Sequence, residues 1–257
     1  MKWVKHAAFW LTLLALWELS YRIFGWRAWM FPAPSHILNA LTALLSTSTH
    51  FALPRALLVS VLRLFVGFSV SVVLGTLLGV AMWRSSALND LLGGVCLGLQ
   101  TLPSVCWVPL AVLTFGLSEW GILFVLVMGS FFAVAIALRD GLKTIPPGYQ
   151  KAGRMLGAKG WKLYRYVILP ASFPALASSL RQGFSFAWRS LMGAELLFML
   201  RDEGVGFLLH QGREFGDIAQ VICMMMVMVG VGMLFDRWVL ARLESRVHAR
   251  FGLGSGM

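Results

Sequence analysis

Residues 144–170 read TIPPGYQKAGRMLGAKGWKLYRYVILP, the one long basic interruption in a chain otherwise built from apolar runs. Pro146 and Pro147 stop whatever helix precedes them, because proline lacks the N–H that a helix interior needs. A short helix can then run over 148–156. Gly157 ends it, since glycine takes the left-handed backbone of a helix C-terminus at little cost. A second helical stretch follows over 158–168, and Pro170 opens the next long apolar run. This spacing predicts a helix-turn-helix elbow. Tyr149, Met155, Leu156 and Trp161 give it apolar contact area, and Ala152 and Gly153 are small enough for another protein's backbone to approach. Lys143, Lys151, Arg154, Lys159, Lys162 and Arg165 surround these positions. A loop that only hugs anionic lipid headgroups needs such charges. It does not need four large apolar side chains in so short a space, whereas a docking helix does.

Outward from the elbow, six apolar stretches are long enough to cross a bilayer core, which takes about 20 residues as helix. They are 7–24, 56–83, 88–115, 120–138, 171–200 and 218–240. Pro103 and Pro109 fall in the third, which should therefore be kinked or broken. The expected fold is an all-α membrane protein of about six transmembrane helices, forming a single transmembrane domain over 1–257. Arg84, the elbow's basic residues, and Arg242, Arg246 and Arg250 alternate with the spans so that all fall on one side, together with Lys2 and Lys5. The positive-inside rule makes that side cytoplasmic and puts both termini there. The opposite connections carry Glu119 and the mixed set Arg201, Asp202, Glu203, Arg213, Glu214 and Asp217; Arg22, Arg27 and Arg55 run against the rule but are fewer. The elbow, 144–168, is then cytoplasmic. The loop 27–55 is periplasmic, with Phe31-Pro-Ala-Pro34 as a turn and Ser35 as the cap of a short surface helix reaching Leu45.

Composition supports the membrane reading. The chain is 58% hydrophobic and 13% charged, with a mean hydropathy of +0.76. Soluble domains are about 45–50% apolar and about 25% charged, so this chain has too little charge to clothe a water-exposed surface. The net charge of +11 is accounted for by topology. No aromatic-basic interleaving of the base-stacking kind occurs, so no nucleic-acid partner is expected. Cys96, Cys106 and Cys223 lie inside apolar runs without a CxxC and read as small buried hydrophobes. The first apolar run lacks a small-residue cleavage site before Tyr21-Arg22 and reads as a retained helix.

Ionisable groups inside spans cost about 2.5–3.5 kcal/mol each by insertion scales, so each asks for a function or a partner. The fifth span carries Arg181, Arg189 and Glu195. Arg181, Ser185 and Arg189 recur every four residues and share a helix face, with Ser178 and Gln182 beside it. A positive, hydrogen-bonding stripe along a pathway suits an oxyanion such as a sulfonate or nitrate. Pairing with a neighbouring helix is the alternative for Arg181. Glu195 lies on another face, where pairing with another span or chain would close the outer end of a pore. Glu18, near the outer end of the first span, should snorkel to the interface or pair with Arg22, four residues on. Met224, Met225, Met226 and Met228 point in different directions and read as packing rather than a metal site.

The elbow resembles the cytoplasmic motif of binding-protein-dependent ABC importer permeases: E-A-A, three residues, G, nine residues, I-x-L-P. Here Lys151-Ala152-Gly153 stand at E-A-A, Gly157 at the glycine, Val167 at the isoleucine and Leu169-Pro170 at the end. FPAPSHIL, LLVSVLRLFVGFSVSVVLGTLLGVAMWRS, LPSVCWVPLAVLTFGLSE, AWRSLMGAELL and GVGFLLHQGREF extend the resemblance over about residues 30–245, toward the nitrate/sulfonate/taurine branch. The resemblance implies a type I importer transmembrane domain in a bacterial cytoplasmic (inner) membrane, without catalytic residues or a metal of its own. It implies two ABC ATPase subunits carrying ATP and Mg, a second permease copy forming a dimer, and a periplasmic or lipid-anchored substrate-binding protein. It makes Tyr149, Lys151, Ala152, Gly153, Arg154, Leu156 and Gly157 the ATPase-coupling residues. Lys151 departs from the family's acid and Gly153 from its second alanine.

Two other classes compete. An intramembrane enzyme needs facing acids, a metal cluster or a Ser/His pair at matched depth, yet His6, His36, His50, His210 and His248 all stand at or outside span ends. A stand-alone secondary transporter or channel needs no docking elbow. No GxxxxGK[ST] phosphate loop is present, so ATP has to be bound by another chain.

Overall fold

The computed structural model describes residues 2–27, 30–46, 52–198 and 204–250, and all the regular structure there is helical. His50, Arg201, Asp202 and Glu203 lie outside the described residues. Twelve α-helical segments follow in order: α1 Lys2–Phe24, α2 Pro34–Leu45, α3 Ala52–Arg84, α4 Ser86–Thr101, α5 Val108–Phe115, α6 Glu119–Lys143, α7 Pro147–Met155, α8 Trp161–Leu163, α9 Leu169–Phe198, α10 Val205–Glu214, α11 Ile218–Phe235 and α12 Ala241–Arg250. Two compact units result, one from Met1–Leu62 with Glu195–Gly230, the other from Arg63–Ala194 with Val231–Met257.

In the larger unit the sequence dictates the packing of α3 on α6. Ser130 donates to the Ser71 hydroxyl at 2.8 Å across an offset of 59 residues. Gly67 and Gly75 face Leu126 and Val134 at that same offset, so the two helices run parallel in register. A β-carbon at Gly79 would lie 2.7 Å from the Ala135 carbonyl, a contact only glycine permits. The parallel course requires an intervening return span. That span is α4, a 3-10 turn at Ser104–Trp107 and α5, bent by 102° at the break that holds Pro103, with Pro109 in the first turn of α5. Met82, Cys96, Phe132, Ala135 and Ile136 form the buried core where it meets α3 and α6. The third span is thus broken, as its prolines predict. Arg63 ties the start of this bundle together, donating through Nε and Nη2 to Glu119 at 2.8 and 2.6 Å.

Among the described residues three helices, α3, α6 and the run Ile218–Val247, are long and apolar enough to span a membrane, and the bent pair makes a fourth. Among the described residues the fifth expected span, α9, is less apolar, because it carries Arg181, Arg189 and Glu195.

Several local expectations are corrected. Ser35 does not cap α2. Ala33 holds the N-cap position and Pro34 the first turn, while His36 Nδ1 accepts from the Ala33 N–H. Ser35 gives its backbone N–H and hydroxyl to Glu18 instead, and Glu18 also receives Arg22 at 2.9 Å. Pro170 does not open a new helix. The chain is helical from α8 through a π-helical turn at Tyr164–Ile168 into α9, and the Leu169 N–H reaches Tyr164 rather than Arg165. That extra residue absorbs the lost donor of Pro170. The sixth span does not stop at 240; a second π turn, Asp236–Leu240, carries it into α12. The connection after α9 holds a further helix, α10, that hydrophobic runs alone do not reveal, because His210, Gln211 and Arg213 interrupt its apolar pattern.

Candidate functional site

The elbow is α7, its turn and α8. Pro147 occupies the first turn of α7, where a missing N–H costs nothing. At the other end the Gly157 N–H reaches Arg154 at 3.0 Å and the Ala158 N–H reaches Gly153 at 2.9 Å, with Gly157 at φ +83°. This is the Schellman pattern, and it closes the helix at the residue the sequence marks.

Gly153 is the buried member of α7. A β-carbon there would meet Val167 Cγ2 at 2.8 Å and Leu163 Cδ1 at 2.9 Å. Gly153 therefore serves the elbow's own packing, and the expectation that it offers a close approach to another protein is corrected. The opposite face is open. On a helix, Lys151 and Met155 lie two residues either side of Gly153 and so point away from it, and both are exposed. Met155 and Leu156 retain 88% and 89% of their accessible surface, Trp161 74% and Tyr149 55%, values that no solvated loop requires. Arg154 lines a cleft of about 670 Å³ with Arg84, Trp161 and Tyr164. On its far side the elbow meets a second cavity of about 620 Å³, bounded by α6, Tyr149, Tyr166 and the Pro170–Pro174 turn of α9.

The charged stripe of α9 divides. Arg181 is used within the chain: Nε and Nη2 meet the two Asp236 oxygens at 2.8 and 2.9 Å, and Nη1 meets Glu244 at 2.9 Å. Ser178 completes the network by donating to Glu244 at 2.6 Å. Of the two outcomes open for Arg181, the structure shows pairing with a neighbouring helix. Asp236 and Glu244 are the residues that sequence reasoning missed. Their signal was two acids, eight residues apart, in a tail otherwise basic. Ser178, Gln182, Ser185 and Arg189 remain as a continuous exposed polar face. The Arg189 guanidinium lies 4.6 Å over the Phe186 ring, and its Nε donates to the Ser185 carbonyl at 3.1 Å. A guanidinium on hydrocarbon is costly, so this face requires water or protein against it.

Glu195 is 2% exposed and partnered within its own unit. The Ser60 hydroxyl stands 2.8 Å from both carboxylate oxygens and accepts the Val205 N–H at 3.0 Å, while Gly206 N–H donates to Oε2 at 3.1 Å. The carboxylate thus caps the first turn of α10, joining α9, α3 and α10. Arg213 and Glu214, at the far end of α10, are exposed and pair at 3.2 Å.

Residues 71–248 match the family model described as the binding-protein-dependent transport system inner membrane component. The chain belongs to this family of membrane transport components. Among the family's relatives it is 28% identical over 188 residues to the nitrate import permease of Synechocystis sp., covering 73% of this chain and 67% of that one. It is 28% identical over 254 residues to a permease named for aliphatic sulfonates transport in Escherichia coli, covering 97% and 94%. A chain of the methionine ABC transporter MetNI, solved in inward-facing conformations, superposes with a TM-score of 0.65 at 18% identity, covering 79% of this chain and 99% of that one. The likeness identifies the fold as that of an importer transmembrane domain. As a permease of this family the chain is a multi-pass membrane protein, and the importer reading prevails over a stand-alone channel or secondary transporter.

Proposed function

We propose that the chain is the membrane half of an ATP-driven importer that passes a small anion, a sulfonate or nitrate, into the cytoplasm across a bacterial inner membrane, with both termini cytoplasmic. Two copies enclose the pathway. Each copy presents α7 to one ATPase subunit, and a periplasmic or lipid-anchored binding protein delivers solute to the outer face at α10. ATP and Mg belong to the ATPase, and this chain supplies no catalytic group.

The observation that carries the reading is the outward face of α7. Lys151, Met155 and Leu156 stand exposed while Gly153 locks the helix onto α8 and the π turn. A push on α7 passes through that contact into α9, since α8, the π turn and α9 are one uninterrupted helix. Tyr149, Ala152, Arg154 and Gly157 complete the coupling surface. Along the pathway Ser185 and Arg189 face the solute, Arg181 braces α9 from its side, and Glu195 holds the outer end through α10. The anion assignment draws on Arg189, which lacks an acidic partner among the described residues, and on what the nitrate and sulfonate relatives are named for.

Reconstitution with the ATPase and binding protein tests this. ATP-dependent uptake of a radiolabelled sulfonate or nitrate, abolished when the ATPase is omitted, is expected. Uptake that proceeds without the ATPase would refute the importer reading.

A further inference from the structure

The elbow's charge pattern says what kind of groove receives it. Between residues 143 and 170 there are six basic residues, Lys143, Lys151, Arg154, Lys159, Lys162 and Arg165, and no acidic one. Lys143 reaches only the neutral Asn89 side chain, at 3.1 Å. Among the described residues no acid pairs with Lys151, Arg154, Lys159, Lys162 or Arg165, although the chain pairs its arginines with acids elsewhere, at Arg63 and Arg181. Arg84, at the end of α3, adds a further cation across the cleft from Arg154.

Lys151 occupies the decisive place in this pattern. It lies on the helix face opposite Gly153, so it cannot turn inward to an intrachain partner and stands in the centre of the surface that a docked protein would cover. Met155, one turn on, lies beside it, and Leu156 follows at the helix end, both with nearly all of their apolar surface exposed. An ammonium beside the apolar Met155 side chain loses water when that surface is covered. That loss is costly unless an opposing carboxylate replaces the water. We infer that the groove receiving α7 is acidic, with at least one carboxylate placed against Lys151 and apolar walls for Met155 and Leu156. The partner is an ATPase of complementary charge rather than one built for an acidic coupling helix. This inference rests on the docking role given to α7 above.

The test uses the complex as purified from membranes in a neutral, lipid-free detergent, with the ATPase identified by photolabelling with an azido-ATP. Retention of the ATPase on tagged permease is measured as salt rises. The wild type should retain it at low salt and lose it progressively. Lys151→Glu should weaken retention by about tenfold at low salt, the scale of a close charge pair at an interface. Lys151→Gln should fall between the two, and replacing a groove carboxylate of the ATPase by lysine should rescue Lys151→Glu. Equal retention by wild type and Lys151→Glu at every salt concentration would overturn the acidic groove while leaving docking intact. So would stronger retention by Lys151→Glu, or unchanged retention with the variant's loss confined to binding of anionic vesicles, which would assign the charges to the bilayer. No ATPase on the wild type at any salt would overturn the docking role itself.

Discussion

Gly153 of α7 and Val167 of the π turn approach so closely that a β-carbon on the glycine would stand 2.8 Å from Val167 Cγ2. This contact makes the elbow a rigid lever rather than a loop. Gly153→Val should therefore push α7 off its seat, at a cost of about 1–3 kcal/mol for overpacking. Uptake should drop steeply while the protein still inserts and purifies. Gly153→Ala, with one methyl to place against the mobile end of Leu163 and the stiffer Val167, should be milder. The check is ATP-dependent uptake normalised to permease in the membrane.

The Arg181–Asp236–Glu244 network braces α9 against the end of the last span. Arg181→Ala removes the guanidinium that joins α9 to Asp236 and Glu244, so thermal unfolding in detergent should come earlier by about 2–4 °C if about 1 kcal/mol is lost in a chain of this size. Asp236→Asn should have a smaller effect than Arg181→Ala, because Glu244 still engages the arginine. A double exchange, Arg181→Asp with Asp236→Arg, should recover part of the loss.

Glu195 should behave as a structural cap. Glu195→Ala strands the Ser60 hydroxyl and the Gly206 N–H in a buried site, at about 1–3 kcal/mol. Glu195→Gln retains an acceptor and should keep most of the stability. Thermal unfolding of the two variants side by side separates them.

Arg189 is the residue on which the choice of solute turns. Arg189→Ala should lower anion uptake severalfold without changing thermal stability, since its only described contacts are to its own helix. Arg189→Lys should keep part of the rate. Comparing maximal uptake with stability in the same preparations reads the two effects apart.

The elbow and the broken third span were legible in the sequence because prolines and glycines act locally. Pro147, Gly157, Pro103 and Pro109 do what their backbone chemistry requires wherever they sit. The long-range partners were not legible. Nothing near Glu195 in the sequence announces Ser60, 135 residues away. Arg181 looked like part of a pathway stripe because its spacing from Ser185 and Arg189 is helical, yet spacing fixes a face and not what packs against it. Gly153 shows the same limit: small size suits a close approach, and the approach is made by the elbow's own following helix. Ser35 has the chemistry of a cap, but Pro34 before it already sets the start of α2.

Insertion of the Lys151–Met155 face of α7 into an ATPase subunit can be read from a photo-crosslinking residue placed at Met155 and, as a control, at the buried Leu163, in the intact complex. A permease–ATPase adduct should form from position 155 and grow when ATP is present, with none from position 163. An elbow that yields no adduct at 155 in a complex shown to transport would rule the insertion out.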